Sequence, residues 1–163
     1  MEKPEKPHPG EARHAAVPLA ECTLARAVSV IGDAWVLLIL REAVYGVGRF
    51  EEMRDDLGIP RAVLSDRLRR LVEAGLLARV AYREPGRRTH HAYELTARGR
   101  ALLPALAALR EWAEEHLPGG PSPLKLRHHC GAQIHARLVC DHGHVVGPEE
   151  IETVVERSDG ATG

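Results

Sequence analysis

Arginine is the residue type whose placement first suggests chemistry in this 163-residue chain. Residues 60–100 hold ten arginines, no lysine and four acidic residues, so their net charge is 10 − 4 = +6. The whole chain carries −1, which leaves −1 − 6 = −7 for the rest. A short basic run alone most often forms a solvated face, but a basic segment inside an acidic protein is typical of a surface that binds a polyanion.

A second group of reactive side chains lies near the end of the chain. Two cysteines and several histidines fall within residues 128–144, and these are the donor types that zinc prefers. The predicted ligands of a structural zinc are Cys130, Cys140, His144 and either His128 or His129. Cysteines paired two residues apart, as in a zinc ribbon, are missing. A disulfide between Cys130 and Cys140 and an inert tail therefore stay open, and no other cofactor is expected.

Cys22 is the third cysteine, and it stands at the start of the first predicted helix. Backbone N–H groups and the helix dipole at such a position favour a reactive thiol, although the neighbouring Glu21 opposes a thiolate. The alternative is a small side chain buried where two subunits meet. Three cysteines are too few, and odd in number, for a secreted disulfide framework. With no signal-like apolar segment at the N-terminus, the expected location is the cytoplasm.

The elements that must position the arginines follow from periodicity and from helix end signals. The pattern predicts helices over about residues 21–31, 34–45, 50–57 and 60–74, with the second apolar nearly all round and therefore buried. Strands are expected over residues 76–83 and 90–95, joined by a turn with a Pro-Gly signal. A last helix, 96–117, should be kinked at Pro104. A further short helix is expected near residues 148–157.

Helices followed by an arginine-tipped hairpin form the order of a winged helix-turn-helix, in which one helix enters the major groove of DNA. The fourth helix, opened by Pro60, is the expected recognition helix, and the hairpin is the wing that contacts phosphates. Predicted DNA-binding residues are Arg61, Ser65, Asp66, Arg67, Arg69 and Arg70 on this helix, and Arg83, Arg87, Arg88 and Thr89 at the wing. For Arg67, an ion pair inside the domain is an equally good interpretation.

The sequence resembles the HxlR-type (DUF24) winged-helix regulators of bacteria over about residues 22–117. The resemblance is carried by Cys22, by the Ile31-Gly32 break, by the Ile59 turn and by five further segments: 35–41 (WVLLILR), 49–50 (RF), 64–68 (LSDRL), 74–76 (AGL) and 93–96 (YELT) with Gly99. Asp33-Ala34 departs from the family pattern, where Gly-Lys often precedes the tryptophan.

The resemblance implies a homodimer joined through the first and last helices and bound to a palindromic operator on the bacterial nucleoid, more often as a repressor. It also permits Cys22 to sense an oxidant or electrophile, or a small-molecule effector to control binding. The expected fold is α+β, mainly α, with a disordered arm (1–20), the winged domain (21–117), a linker (118–123) and the His/Cys-bearing tail (124–163). Neither an enzyme nor a membrane protein is expected. The alternatives are a metal-binding or thiol enzyme and a winged helix that contacts protein.

Overall fold

The computed structural model describes residues 17–82 and 90–154. Their helices are α1 (Thr23–Ile31), α2 (Ala34–Val44), α3 (Phe50–Leu57), α4 (Arg61–Glu73), α5 (Ala97–Arg100) and α6 (Leu103–His116), with a 3₁₀ turn at Pro148–Glu150. Strands β1 (Leu77–Tyr82) and β2 (His90–Leu95) form one antiparallel hairpin, and β3 (Leu138–Val139) and β4 (Val145–Val146) form another. The predicted mainly helical α+β winged helix-turn-helix is confirmed.

Helix α2 is the centre of the core, as its nearly continuous apolar sequence predicts. Val36, Ile39 and Leu40 are fully enclosed between α3, α4 and the first hairpin. Helix α4 contributes a stripe at three- and four-residue steps, and α3 contributes Met53. This packing fixes which face of α4 stays outside, since a helix that buries one stripe exposes the opposite one.

The last predicted helix is interrupted, which corrects the expectation of one kinked helix over residues 96–117. Helix α5 ends at Arg100, two residues form a turn, and α6 starts at Leu103 with Pro104 in its first turn. Pro104 has no N–H to offer the Arg100 carbonyl, and a proline is tolerated in a first turn because that N–H would have no helical partner. The chain therefore ends one helix at Arg100 and begins the next at Leu103.

The tail packs against α6 through a few polar contacts. The Glu111 carboxylate accepts hydrogen bonds from the Ala136 backbone N–H (3.2 Å) and contacts His135 Nδ1 (3.1 Å) and Arg137 Nη1 (3.4 Å). Arg110 Nη1 donates to the Leu124 carbonyl at 3.0 Å. The helix predicted near residues 148–157 is replaced by the 3₁₀ turn, and residues 151–154 form no helix. Residues 155–157 and most of the arm (1–16) lie outside the described part.

No single helix among the described residues is long and apolar enough to cross a bilayer, although the bent pair of α1 and α2 passes together on length and composition.

Candidate nucleic-acid interface

Helices α3 and α4 form the helix-turn-helix, joined by residues 58–60. Gly58 adopts a left-handed conformation (φ +60°) that ends α3, and Ile59 is buried beneath the turn. Leu64, Leu68 and Leu71 then fasten α4 to the core, and Arg61, Ser65, Arg69 and Arg70 lie exposed on its outer side. The Arg61 and Arg69 side chains are 64% and 60% exposed. The predicted recognition helix thus presents its polar residues to solvent.

Two of the exposed arginines of α4, Arg61 and Arg69, are held by neighbouring acids. Arg61 pairs with Glu51 of α3, and its guanidinium lies 5.1 Å from the centre of the Phe50 ring. Arg69 bridges Asp66 (2.6 Å) and Glu73 (2.9 Å). The hydrogen bonds that Asp66 accepts from Arg69 and Arg67 lower the pKa of its carboxyl, and Arg69 is the larger cause. Exposed ion pairs contribute little to stability. These arginines can therefore exchange a carboxylate for a phosphate or a base edge at small cost.

Arg67 makes the ion pair inside the domain that is one of its two predicted roles, while its contact with phosphate stays a prediction. Its Nη2 donates to Asp33 at 2.9 Å, and its Nη1 donates to Asp66 at 2.7 Å. Asp33 is also the N-cap of α2, accepting from the Val36 N–H at 3.2 Å, and aspartate is one of the residues preferred at this position. The Arg67 hydrogen bond is the main cause of the lowered pKa of Asp33. Arg67 thus joins α4 to the start of α2 and sets the position of the recognition helix.

The hairpin β1–β2 lies beside the helix-turn-helix as a wing. Arg79 Nη2 lies 3.1 Å from His91 Nδ1 across the two strands, and the Arg49 guanidinium lies 4.7 Å from the centre of the Tyr82 ring. The predicted wing-tip residues Arg83, Arg87, Arg88 and Thr89 lie outside the described residues. Their DNA-binding role stays a prediction.

Sequence reasoning missed the acidic surface of α3. Glu51, Glu52, Asp55 and Asp56 are all exposed there, and Arg54 pairs with both Glu51 and Asp55. Because phosphates are repelled by these carboxylates, a duplex would approach α4 and the wing rather than α3. The composition of residues 50–57 could have shown this, since four acids there outweigh one arginine.

Cys22 is the N-cap of α1, and its Sγ accepts from the Ala25 N–H at 3.5 Å. The predicted position at the helix start is confirmed. The side chain is half-buried and the thiol is free. The usual residue at an N-cap is serine, threonine, asparagine or aspartate. At Cys22 a nucleophilic sulfur therefore occupies a position that a hydroxyl or carboxyl oxygen usually fills.

The predicted zinc ligands are not assembled. The described part of the chain contains no group of three or more His, Cys, Asp or Glu side chains that could hold a metal ion, and Cys130 and Cys140 are both free. His128 Nδ1 instead accepts from the Cys130 N–H at 3.3 Å. Arg127 donates to the Gly131 carbonyl at 2.9 Å, across the turn that contains His128 and Cys130.

Comparison with known proteins agrees with this geometry. The family model of the HxlR-like helix-turn-helix matches residues 30–120. The chain is 50% identical over 123 residues to the HTH-type transcriptional regulator Rv3095 of Mycobacterium tuberculosis, covering 74% of this chain and 76% of that protein.

Two solved structures are similar. The candidate transcription factor PA1607 superposes with a TM-score of 0.72 at 34% identity, covering 84% of this chain and 96% of that one. The redox regulator HypR in its reduced form gives 0.53 at 26% identity, covering 60% and 95%. The exposed α4, the wing beside it and these matches lead to one conclusion: the chain belongs to the HxlR-like helix-turn-helix family and is a transcriptional regulator of the helix-turn-helix type.

Proposed function

We propose that this regulator represses transcription as a homodimer bound to a palindromic operator. The observation that carries the proposal is the outer face of α4, where Arg61, Ser65 and Arg69 are exposed within about two helical turns beside the wing. Side chains in this arrangement reach base edges in a major groove, and arginine makes bidentate contacts to guanine there. No enzymatic reaction is part of the proposal.

The apolar surface of the single chain supports the homodimer. Leu24, Val28 and Val30 on α1 are exposed, and so are Leu109 and Trp112 on α6. Large exposed apolar side chains on two helices are typical of an interface between subunits. A two-fold contact along these helices would present two copies of α4, and a palindromic site mirrors that symmetry.

A thiol response at Cys22 is the second part of the proposal. It is supported by the likeness to the redox regulator HypR and by the position of the thiol on α1, the helix that would lie between the subunits. Hydrogen peroxide would oxidise the Cys22 thiol to a sulfenic acid and be reduced to water, which would disturb the Sγ contact to Ala25 and add an oxygen at the helix start. Peroxide should lower the operator affinity of the native protein and of Cys130→Ser, but leave that of Cys22→Ser unchanged.

A fluorescence anisotropy titration tests the DNA-binding proposal. The full chain is titrated against duplexes that tile its own upstream region, at several salt concentrations, with a shuffled duplex as control. We expect one duplex to bind about a thousandfold or more tighter than the control, with affinity that falls steeply as salt rises. Footprinting should show two half-sites about one helical turn, or a multiple of it, apart. Equal affinity for every duplex, or affinity independent of salt, would overturn the proposal.

Transcription in vitro tests the direction of control. Adding the protein to RNA polymerase and the bound promoter should reduce transcript yield, whereas an increased yield would overturn the repressor assignment.

A further inference from the structure

A cavity of 280 Å³ lies between α2, α6 and the start of the tail. Its walls are mostly apolar: Leu37 and Leu38 come from α2, Leu106 and Ala107 from α6, and Leu124 and Leu126 from the tail. Ligand sites in proteins are usually cavities of this composition with a few polar groups. An apolar cavity of about 150 Å³ accepts benzene, so this one has room for one or two rings.

Arg110 is the polar group that distinguishes this cavity from a packing defect. It lines the cavity, and its side chain is only 16% exposed. Nη1 is occupied, since it donates to the Leu124 carbonyl at 3.0 Å and lies 3.7 Å from Glu114. Nε and Nη2 are buried, and neither has a hydrogen-bond partner within the described residues. Buried charged donors without partners are rare in proteins because they lose their hydration without compensation.

The two unpartnered atoms form one edge of the guanidinium. Once the side chains that cover that edge move aside, its two parallel N–H groups match the two oxygens of a carboxylate, which binds there bidentately. The carboxylates near Arg110 are also engaged by other groups, so they do not fully neutralise its charge. Glu114 also accepts from the Ser122 N–H (3.1 Å) and lies 3.8 Å from Lys125, and Arg41 at the rim is paired with the buried Glu42.

We propose that this cavity binds a small hydrophobic carboxylate, such as an aromatic acid of one or two rings, whose carboxylate pairs with Nε and Nη2 of Arg110. The role of this ligand as an effector rests on the proposed function of the protein as a DNA-binding repressor. Leu37 and Leu38 lie on the same helix as Val36 and Ile39, which pack against α4 in the core. A ligand that changes the position of α2 would therefore change the position of the recognition helix.

Isothermal titration calorimetry with 2-naphthoate tests the site on the full-length protein. We expect saturable binding of one molecule per chain. The neutral analogue 2-naphthalenemethanol and the variant Arg110→Met should each bind about 10- to 100-fold more weakly, because a charge-assisted hydrogen bond is lost. Arg137→Met is the matched control, since that arginine is exposed on the tail and does not line the cavity. It should bind naphthoate like the native protein.

Ala107→Leu provides a second variant, because Ala107 is buried in the cavity wall and the larger side chain fills part of the space. It should abolish binding while the circular dichroism spectrum stays native. No saturable binding at millimolar naphthoate, or equal affinities of Arg110→Met and the native protein, would overturn the site.

Operator affinity is measured on the same preparations without ligand, so that the two proposals fail separately. A protein that binds its operator but not naphthoate overturns the effector site alone. One that binds naphthoate but no duplex overturns the proposed function and leaves a carboxylate-binding protein.

Discussion

Gly99 lies where the wing meets the C-terminal helices, and replacing it by alanine should destabilise the protein. A Cβ at this position would stand 2.2 Å from the Leu76 carbonyl oxygen and 3.0 Å from Leu95 Cδ2. Neither neighbour can move freely. The Leu76 carbonyl accepts from the Thr96 N–H at 3.1 Å, and the Thr96 hydroxyl caps α5 through the Gly99 N–H at 3.0 Å. The substitution therefore forces backbone away from backbone.

The magnitude follows from two opposing effects. Overpacking against fixed atoms costs about 3 kcal/mol, the upper part of its usual range. Replacing glycine by alanine within a helix stabilises the folded state by about 1 kcal/mol. The net loss is about 2 kcal/mol, equivalent to about 4–8 °C in melting temperature for a chain of this length.

Urea denaturation followed by circular dichroism measures this loss, at one fixed protein concentration because the proposed subunit association would contribute to stability. Gly58→Ala is the matched control. Gly58 has φ +60° but no heavy atom within 4 Å of the added Cβ, so that variant carries backbone strain alone, about 1 kcal/mol. If Gly99→Ala were as stable as the native protein, or more stable than Gly58→Ala, the close approach of α5 to Leu76 would be refuted.

Three further predictions concern charged residues. Arg69→Ala should weaken operator binding about 5- to 150-fold in anisotropy titrations, and an unchanged affinity would remove α4 from the interface. Glu51→Gln should strengthen operator binding about two- to fivefold, because it releases Arg61 and removes a charge that repels phosphate; weaker binding would contradict this. The Arg67 hydrogen bond lowers the pKa of Asp33 below its ordinary 3.8, so its contribution is complete above that pH and is lost as the pH falls through the folded-state pKa. Thermal melts of Asp33→Asn should then show a shallower loss of stability in acid than the native protein, and parallel acid profiles would contradict the ion pair.

Local signals predicted most of the fold. The bounds of α3 and β2 agree with those expected from periodicity and turn residues, and the Asp33 cap follows from residue type alone. Pro104 was recognised as a break, but whether a helix bends or restarts depends on how the preceding turn packs. That packing involves Gly99 and Leu76, 23 residues apart, and no local pattern reports it.

The sequence predicted which face of α4 is exposed at the candidate site, but not which acidic residues its arginines pair with. The three- and four-residue spacing of the α4 leucines places Arg61, Ser65 and Arg69 outside, as the structure has them. The pairing of Arg67 with Asp33 spans 34 residues, and that of Arg61 with Glu51 spans ten. Both depend on how two helices cross, which composition does not determine.

The exposure of helix α1 bears on how fast the protein is degraded in a cell. None of its nine residues is buried, and a helix shorter than about 12 residues is marginal in water by itself. In an unpaired monomer the segment Thr23–Ile31 would unfold locally and become accessible to proteases. If the proposed homodimer forms through α1, the rate of degradation would fall as the concentration of the protein rises, because a larger fraction of the chains would be paired.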